Sequence, residues 1–247
     1  MLRKRLRLIA TPVAAVALTL TAAGHQASAA QAPATGSAAR SGDAAATAPC
    51  LADATTLVGD LDGDRRPDRI ANPGHTGTRM TVQWGAADGS FGSKQAASKL
   101  LGAKTGEVTS AAVADFQNDG TLDIVVNLVT PAGGDDPATA RVSEYRQGPL
   151  KRANLGSAHS RHSDIGDMGE AKQLRIANYG DDAYPDLAIL NNSGDGSLDR
   201  DVRLSGPGTG PGDFDYELAM KYGQRGTPAE PPTMPTDGWK HFYKSCS

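Results

Sequence analysis

The chain has 247 residues, with 25 Lys and Arg against 28 Asp and Glu and 38% hydrophobic side chains, enough for one domain with a proper core. No cluster of Lys and Arg relieves the acid excess beyond the first few residues. That balance argues against nucleic acid or an anionic membrane surface as the main partner.

Arg3, Lys4, Arg5 and Arg7 open the chain as a basic segment, and Leu8 to Ala23 is apolar apart from Thr and Pro12. Ala27-Ser28-Ala29 then supplies a small-x-small cleavage pattern, so residues 1–29 are predicted to be an export signal cut near Ala29. The apolar run is short for an anchor and no second one follows, which predicts a secreted, extracellular protein without a membrane span. Cleavage leaves 21 Lys and Arg (25 less those four) against 28 Asp and Glu, a net charge of −7. Residues 30–49, "AQAPATGSAARSGDAAATAP", have no apolar periodicity and read as a flexible Ala-rich leader. The folded domain is expected over 50–247. Its only cysteines, Cys50 and Cys246, bracket it, and in an oxidising compartment they are expected to form a disulfide rather than remain free thiols.

Within the domain the chain repeats itself. "VGDLDGDRRPDRIAN" (58–72), "VADFQNDGTLDIVVN" (113–127) and "IANYGDDAYPDLAIL" (176–190) align without a gap. Each places a polar loop of nine residues between a small-residue strand and an apolar strand. Further strands are expected at "RMTVQWGAADGSF" (79–91), "ARVSEYRQGPL" (140–150) and "DVRLSGPGTGPGDF" (201–214), each ending in a Gly-containing turn. A fourth strand in each repeat is expected at "GSKQAA", "KRANL" and "YELAM". "GSKQAASKLLGAK" (92–104) is read as strand and loop, "QRGTPAEPPTMPT" as a Pro-rich connector, and "DGWKHFYKSC" as a closing strand. The predicted architecture is all-β, built of propeller-like blades over about 55–105, 106–168 and 169–222, with a closing segment at 223–247.

Alternating oxygen ligands are what a calcium (Ca2+) loop requires, with a backbone carbonyl at the seventh place. Loop 1 offers Asp60, Asp62, Asp64, the Arg66 carbonyl and Asp68; loop 2 offers Asp115, Gln117, Asp119, the Thr121 carbonyl and Asp123. Loop 3 offers Asn178, Asp182, the Tyr184 carbonyl and Asp186, with Gly180 at the third place. An EF-hand is excluded, because its twelfth place needs a bidentate acid and these loops have Ala71, Val126 and Ile189 there.

The pattern D-x-[DN]-x-D-x-x-x-D, followed by an apolar strand and a "DGSF"-like turn, resembles the FG-GAP or VCBS repeat. That repeat builds the calcium-binding β-propeller head of integrin α-chains and of many secreted bacterial proteins. The resemblance covers about 55–222 and implies metal-ligand roles for Asp60, Asp62, Asp64, Asp68, Asp115, Asp119 and Asp123, and less closely, because Gly180 departs from the pattern, for Asn178, Asp182 and Asp186. "QWGAADGSFG" keeps the FG but not the following GAP, and three repeats replace the family's usual seven. A ring completed by the terminal strand and the disulfide, an open stack and an oligomer all remain compatible with three repeats.

No G-x-S-x-G, H-E-x-x-H or phosphate-binding Gly loop occurs. His159 and His162 in "SAHSRHSDIGD" lie near Asp164 and Asp167, a pattern read as a solvated inter-blade loop rather than a catalytic cluster. Trp84, Tyr145, Trp239, Phe242 and Tyr243 are expected in packing more than on a ligand face. The function expected is a secreted calcium-binding module for an extracellular protein or glycan, with no catalytic residue assigned. The alternative is a secreted hydrolase on the same scaffold.

Overall fold

A computed structural model describes residues 48–132, 136–165, 169–236 and 238–247. The expected export signal and all but the end of the leader lie outside them, as does Asp167. The described chain forms three antiparallel sheets whose strands follow sequence order. The first contains β1 (Cys50–Asp53), β2 (Thr56–Gly59), β3 (Asp68–Ala71), β4 (Thr81–Gln83) and β5 (Gln95–Ala96). The second contains β6 (Val108–Ala114), β7 (Asp123–Val129), β8 (Val142–Gln147) and β9 (His159–His162). The third contains β10 (Ala171–Ala177), β11 (Asp186–Gly194), β12 (Ser197–Arg203) and β13 (Gln224–Gly226). None of the three closes on itself.

Side-chain size explains how the sheets meet. β7, "DIVVNLV", is buried at every position, as expected of a strand covered on both faces. The small side chains of β6 let neighbouring backbone come close. Gly77 is one such contact: a Cβ there would lie 2.1 Å from the Ala111 nitrogen, so the Ala111 N–H can donate to the Thr76 carbonyl at 3.2 Å. On the other side of β6 the Ser110 hydroxyl donates to the Ala171 carbonyl of β10, and Asn127 donates from Nδ2 to the Gly169 carbonyl.

Several local expectations are corrected. "YELAM" lies in a helix, α2 (Tyr216–Tyr222), because Asp215 caps it by accepting the Glu217 and Leu218 N–H groups. The third sheet takes its fourth strand from β13, inside the segment read as connector. "KRANL" is a turn, and the fourth place in the second sheet goes to β9, inside the segment read as a loop. β5 runs directly into a one-turn helix, α1 (Ala97–Leu100).

The closing segment is not a strand either. It begins with α3 (Gly238–Phe242), which touches all three sheets together with the residues that follow it. Gly238 sits so close to β10 that a Cβ would lie 2.0 Å from the Ile176 oxygen. The Trp239 indole donates to the Val113 carbonyl of β6 at 2.8 Å. Ser245 then bridges Leu51 in parallel: the Leu51 N–H donates to the Lys244 carbonyl and the Cys246 N–H to the Leu51 carbonyl. Cys50 and Cys246 are joined, closing a sequence separation of 196 residues. In the chain-entropy model a loop of that length stabilises the fold by at most about 5 kcal/mol. Cys50→Ser with Cys246→Ser should therefore lower unfolding free energy by about that amount, read from denaturant midpoints. An unchanged midpoint would remove the clasp from the account of stability.

Candidate functional site

The three polar loops share a hydrogen-bond plan. At the fifth place, Asp64, Asp119 and Asp182 each accept the N–H of the seventh residue, at 2.8 to 2.9 Å. At the ninth place, Asp68, Asp123 and Asp186 are fully buried. One oxygen of each accepts the N–H of the loop's second residue: Leu61, Phe116 or Tyr179. The other accepts an N–H just beyond the third strand of the repeat: Gly85, Gly148 or Ser205. The ninth carboxylate thus ties loop to sheet, whatever else it does.

Loops 1 and 2 are alike in detail. Their fourth and sixth residues have left-handed backbone: Gly63 and Arg65 in one, Asn118 and Gly120 in the other. This curl turns N–H groups inward onto the first carboxylate. Asp60 accepts from Gly63 and Arg65, and Asp115 accepts from Asp119 and Gly120. In loop 3 the first residue, Asn178, turns away to contact the His241 ring at 2.8 Å.

The first two loops are also joined to each other. The Leu122 N–H of loop 2 donates to the Asp60 carbonyl at 2.9 Å. The corresponding residue of loop 3 is Pro185, which has no N–H to give. Beside it the Tyr243 hydroxyl of the closing segment accepts the Asp115 N–H at 2.8 Å, a different contact that ties loop 2 to the chain's end.

Loop 1 brings carboxylate oxygens of Asp60, Asp62 and Asp68 within 4.8 Å of one another. Among the described residues it is the one such group of three acidic, His or Cys side chains. Asp64 stands apart, holding the Arg66 N–H. Arg152, from the turn after β8, reaches across to both Asp62 and Asp64 and lies over the Trp84 ring. In loop 2 Gln117 accepts from Gln147, and the Tyr145 hydroxyl donates to Asp123 at 3.0 Å. Sequence reasoning missed Arg152, Tyr145, Tyr243 and His241 as loop partners, since each comes from a distant segment. Arg152 had no signal beyond being a base, in a segment read as a strand.

The remaining candidates disperse. His159 and His162 are three apart on a strand, so they face opposite sides of β9, and both are exposed. Trp84, Tyr145, Trp239 and Tyr243 are buried. No described helix is long and apolar enough to cross a membrane.

Burial dominates the electrostatics of the ninth position. It raises Asp68 to about 6 against two N–H bonds, with the Asp62 charge adding to the rise. Asp123 rises to about 7 for the same reason, despite the Gly148 N–H and the Tyr145 hydroxyl. Burial also raises Asp115 and Asp186. A folded state with raised carboxylate pKa values holds protons that the unfolded chain has released. In chelator, stability should therefore fall as pH rises from about 4 to about 7 through these two groups. Asp123→Asn should flatten that slope, measured by denaturation at several pH values. A stability that rises steadily across the window would contradict the assignment.

Residues 56–126 match the family model described as an FG-GAP-like repeat. The matched stretch starts at β2 and ends within β7, so it contains both of the loops that share their backbone curl. Comparison with curated proteins and with solved structures returns no match. Over residues 56–126 this chain is similar to an FG-GAP-like repeat, within a protein of three antiparallel sheets.

Proposed function

We propose that the chain is an extracellular binding module with propeller-like blades, braced by calcium at its polar loops and directed at a glycan or protein. The observation that carries the calcium reading is the meeting of Asp60, Asp62 and Asp68 in loop 1. Three hard anionic oxygen donors at that spacing suit a calcium ion. The Arg152 guanidinium lies against two acids of the same loop, as a stand-in cation would. Asp60, Asp62, Asp68 and the Arg66 carbonyl would hold the ion, and Asp64 would join them on releasing Arg152.

Loop 2 is the second candidate, through Asp115, Gln117, Asp119, the Thr121 carbonyl and Asp123. Loop 3 is the weakest, since it lacks a side chain at Gly180 and Asn178 is engaged by His241. Charge for a hard cation decreases in that order. Bound calcium would offset the repulsion among the loop acids and hold loop 1 to loop 2 through the Asp60–Leu122 bond. Export through residues 1–29 and the Cys50–Cys246 bond fit an oxidising destination. The hydrolase alternative gains nothing from His159 and His162, which point apart.

An ion that binds the folded state alone raises its melting temperature. With a dissociation constant on the order of 10⁻⁴–10⁻³ M, about 10 mM calcium should raise it by roughly 3–10 °C. Asp62→Ala should remove most of the increase, and Asp182→Ala little of it. Arg152→Ala should lower the metal-free melting temperature yet tighten calcium binding several-fold, because a competing positive charge is gone. Calorimetric melting and titration measure both. Identical melting in calcium and in chelator would refute the brace.

A further inference from the structure

We propose that the cleft between α2 and the β11–β12 hairpin binds a neutral hexose unit of a glycan. This rests on the binding-module reading above but not on the metal. The cleft has a volume of about 630 Å³, within the range of small-ligand sites. Among the described residues, the exposed large hydrophobic side chains are Phe214, Tyr216 and Met220, at 48%, 70% and 70%. All three line this one cleft. Single exposed apolar side chains are ordinary, but three gathered around one concavity call for an occupant. Tyr216 and Met220 are four apart on α2 and so share a side of that helix.

The opposite wall is polar, with one member, Asn191, buried. Asn191 of β11 is 4% exposed and donates from Nδ2 to Asp201 at 2.9 Å. Its Oδ1 is buried without any hydrogen-bond partner. Buried acceptors are normally paired, so this one lacks a donor, which a ligand hydroxyl would supply on turning the amide toward the cleft that Asn191 lines.

Charge selects among ligand classes. Arg225 pairs with Asp199 at 2.9 Å, and Arg200 donates to the Tyr222 carbonyl. The Arg203 guanidinium lies over the Phe214 ring and attracts Asp201. Asp164, Asp199 and Asp201 on this cleft are balanced by Arg200, Arg203 and Arg225, so no strong charge of either sign selects an ionic ligand. A neutral molecule with one C–H face and several hydroxyls fits, the face against Tyr216 and Phe214 and the hydroxyls toward Asn191 and Asp201. A hexopyranose is that molecule.

The test uses saturation-transfer and titration NMR with methyl glucoside, methyl galactoside and methyl mannoside on the exported domain in calcium. At least one should bind. Tyr216→Ala, at an exposed side chain that leaves melting unchanged, should weaken it about tenfold. Asn191→Ala should weaken it similarly, with melting as its folding control. Absence of binding by all three hexosides would overturn the proposal, as would full affinity in Tyr216→Ala. Preferential capture of an arginine-rich peptide at the same residues would overturn it in favour of a cation site. Melting with and without calcium in the same samples separates the two readings. A calcium-dependent rise without hexoside binding refutes the sugar cleft alone, and hexoside binding without that rise refutes the brace alone.

Discussion

A carboxylate taken out of water at the ninth place of each loop is the constraint on which the rest of this structure depends. Burying Asp68, Asp123 and Asp186 is unfavourable for the charged form, and burial raises the pKa of all three. The fold limits that penalty by giving each oxygen a backbone N–H, one from the loop and one from beyond the third strand. Either N–H lost would leave a buried acceptor unmatched, so the loop and the turn that follows the third strand are fixed relative to each other. The repeated sequence pattern is the visible trace of this tie.

The tie also separates two roles that a string of aspartates does not distinguish. The ninth residue secures the loop to its sheet, and the first curls the loop by accepting inward-pointing N–H groups. In loop 1 these two meet Asp62, with carboxylate oxygens of all three within 4.8 Å of one another. In loop 3 the ninth residue keeps its role while the first has lost it to His241. The tie therefore persists across all three repeats, whereas the convergence of three carboxylates is found, among the described residues, in loop 1.

Three sheets leave edges to manage, and the closing segment meets this with a helix rather than a strand. Trp239 reaches β6, Gly238 lies against β10, and residues 244–246 run beside β1 under the disulfide. Burial of a large side chain such as Trp239 contributes about 1.5–3 kcal/mol, and the crosslink acts on the unfolded chain. Together they draw the last ten residues across all three sheets.

The sequence by itself determined the repeat, its loop–strand rhythm and the pairing of Cys50 with Cys246. Those features are encoded locally, in spacing and alternation, or forced by there being two cysteines. It misjudged "YELAM", "KRANL" and "DGWKHFYKSC", short segments in which helix and strand signals are comparable and an Asp215 cap or a tertiary contact decides. Which acids converge, which tyrosine or arginine reaches each loop, and that Phe214, Tyr216 and Met220 gather at one cleft were settled only in three dimensions. The reason is physical: such contacts join residues dozens of positions apart, and nothing in their immediate neighbourhood depends on the partner.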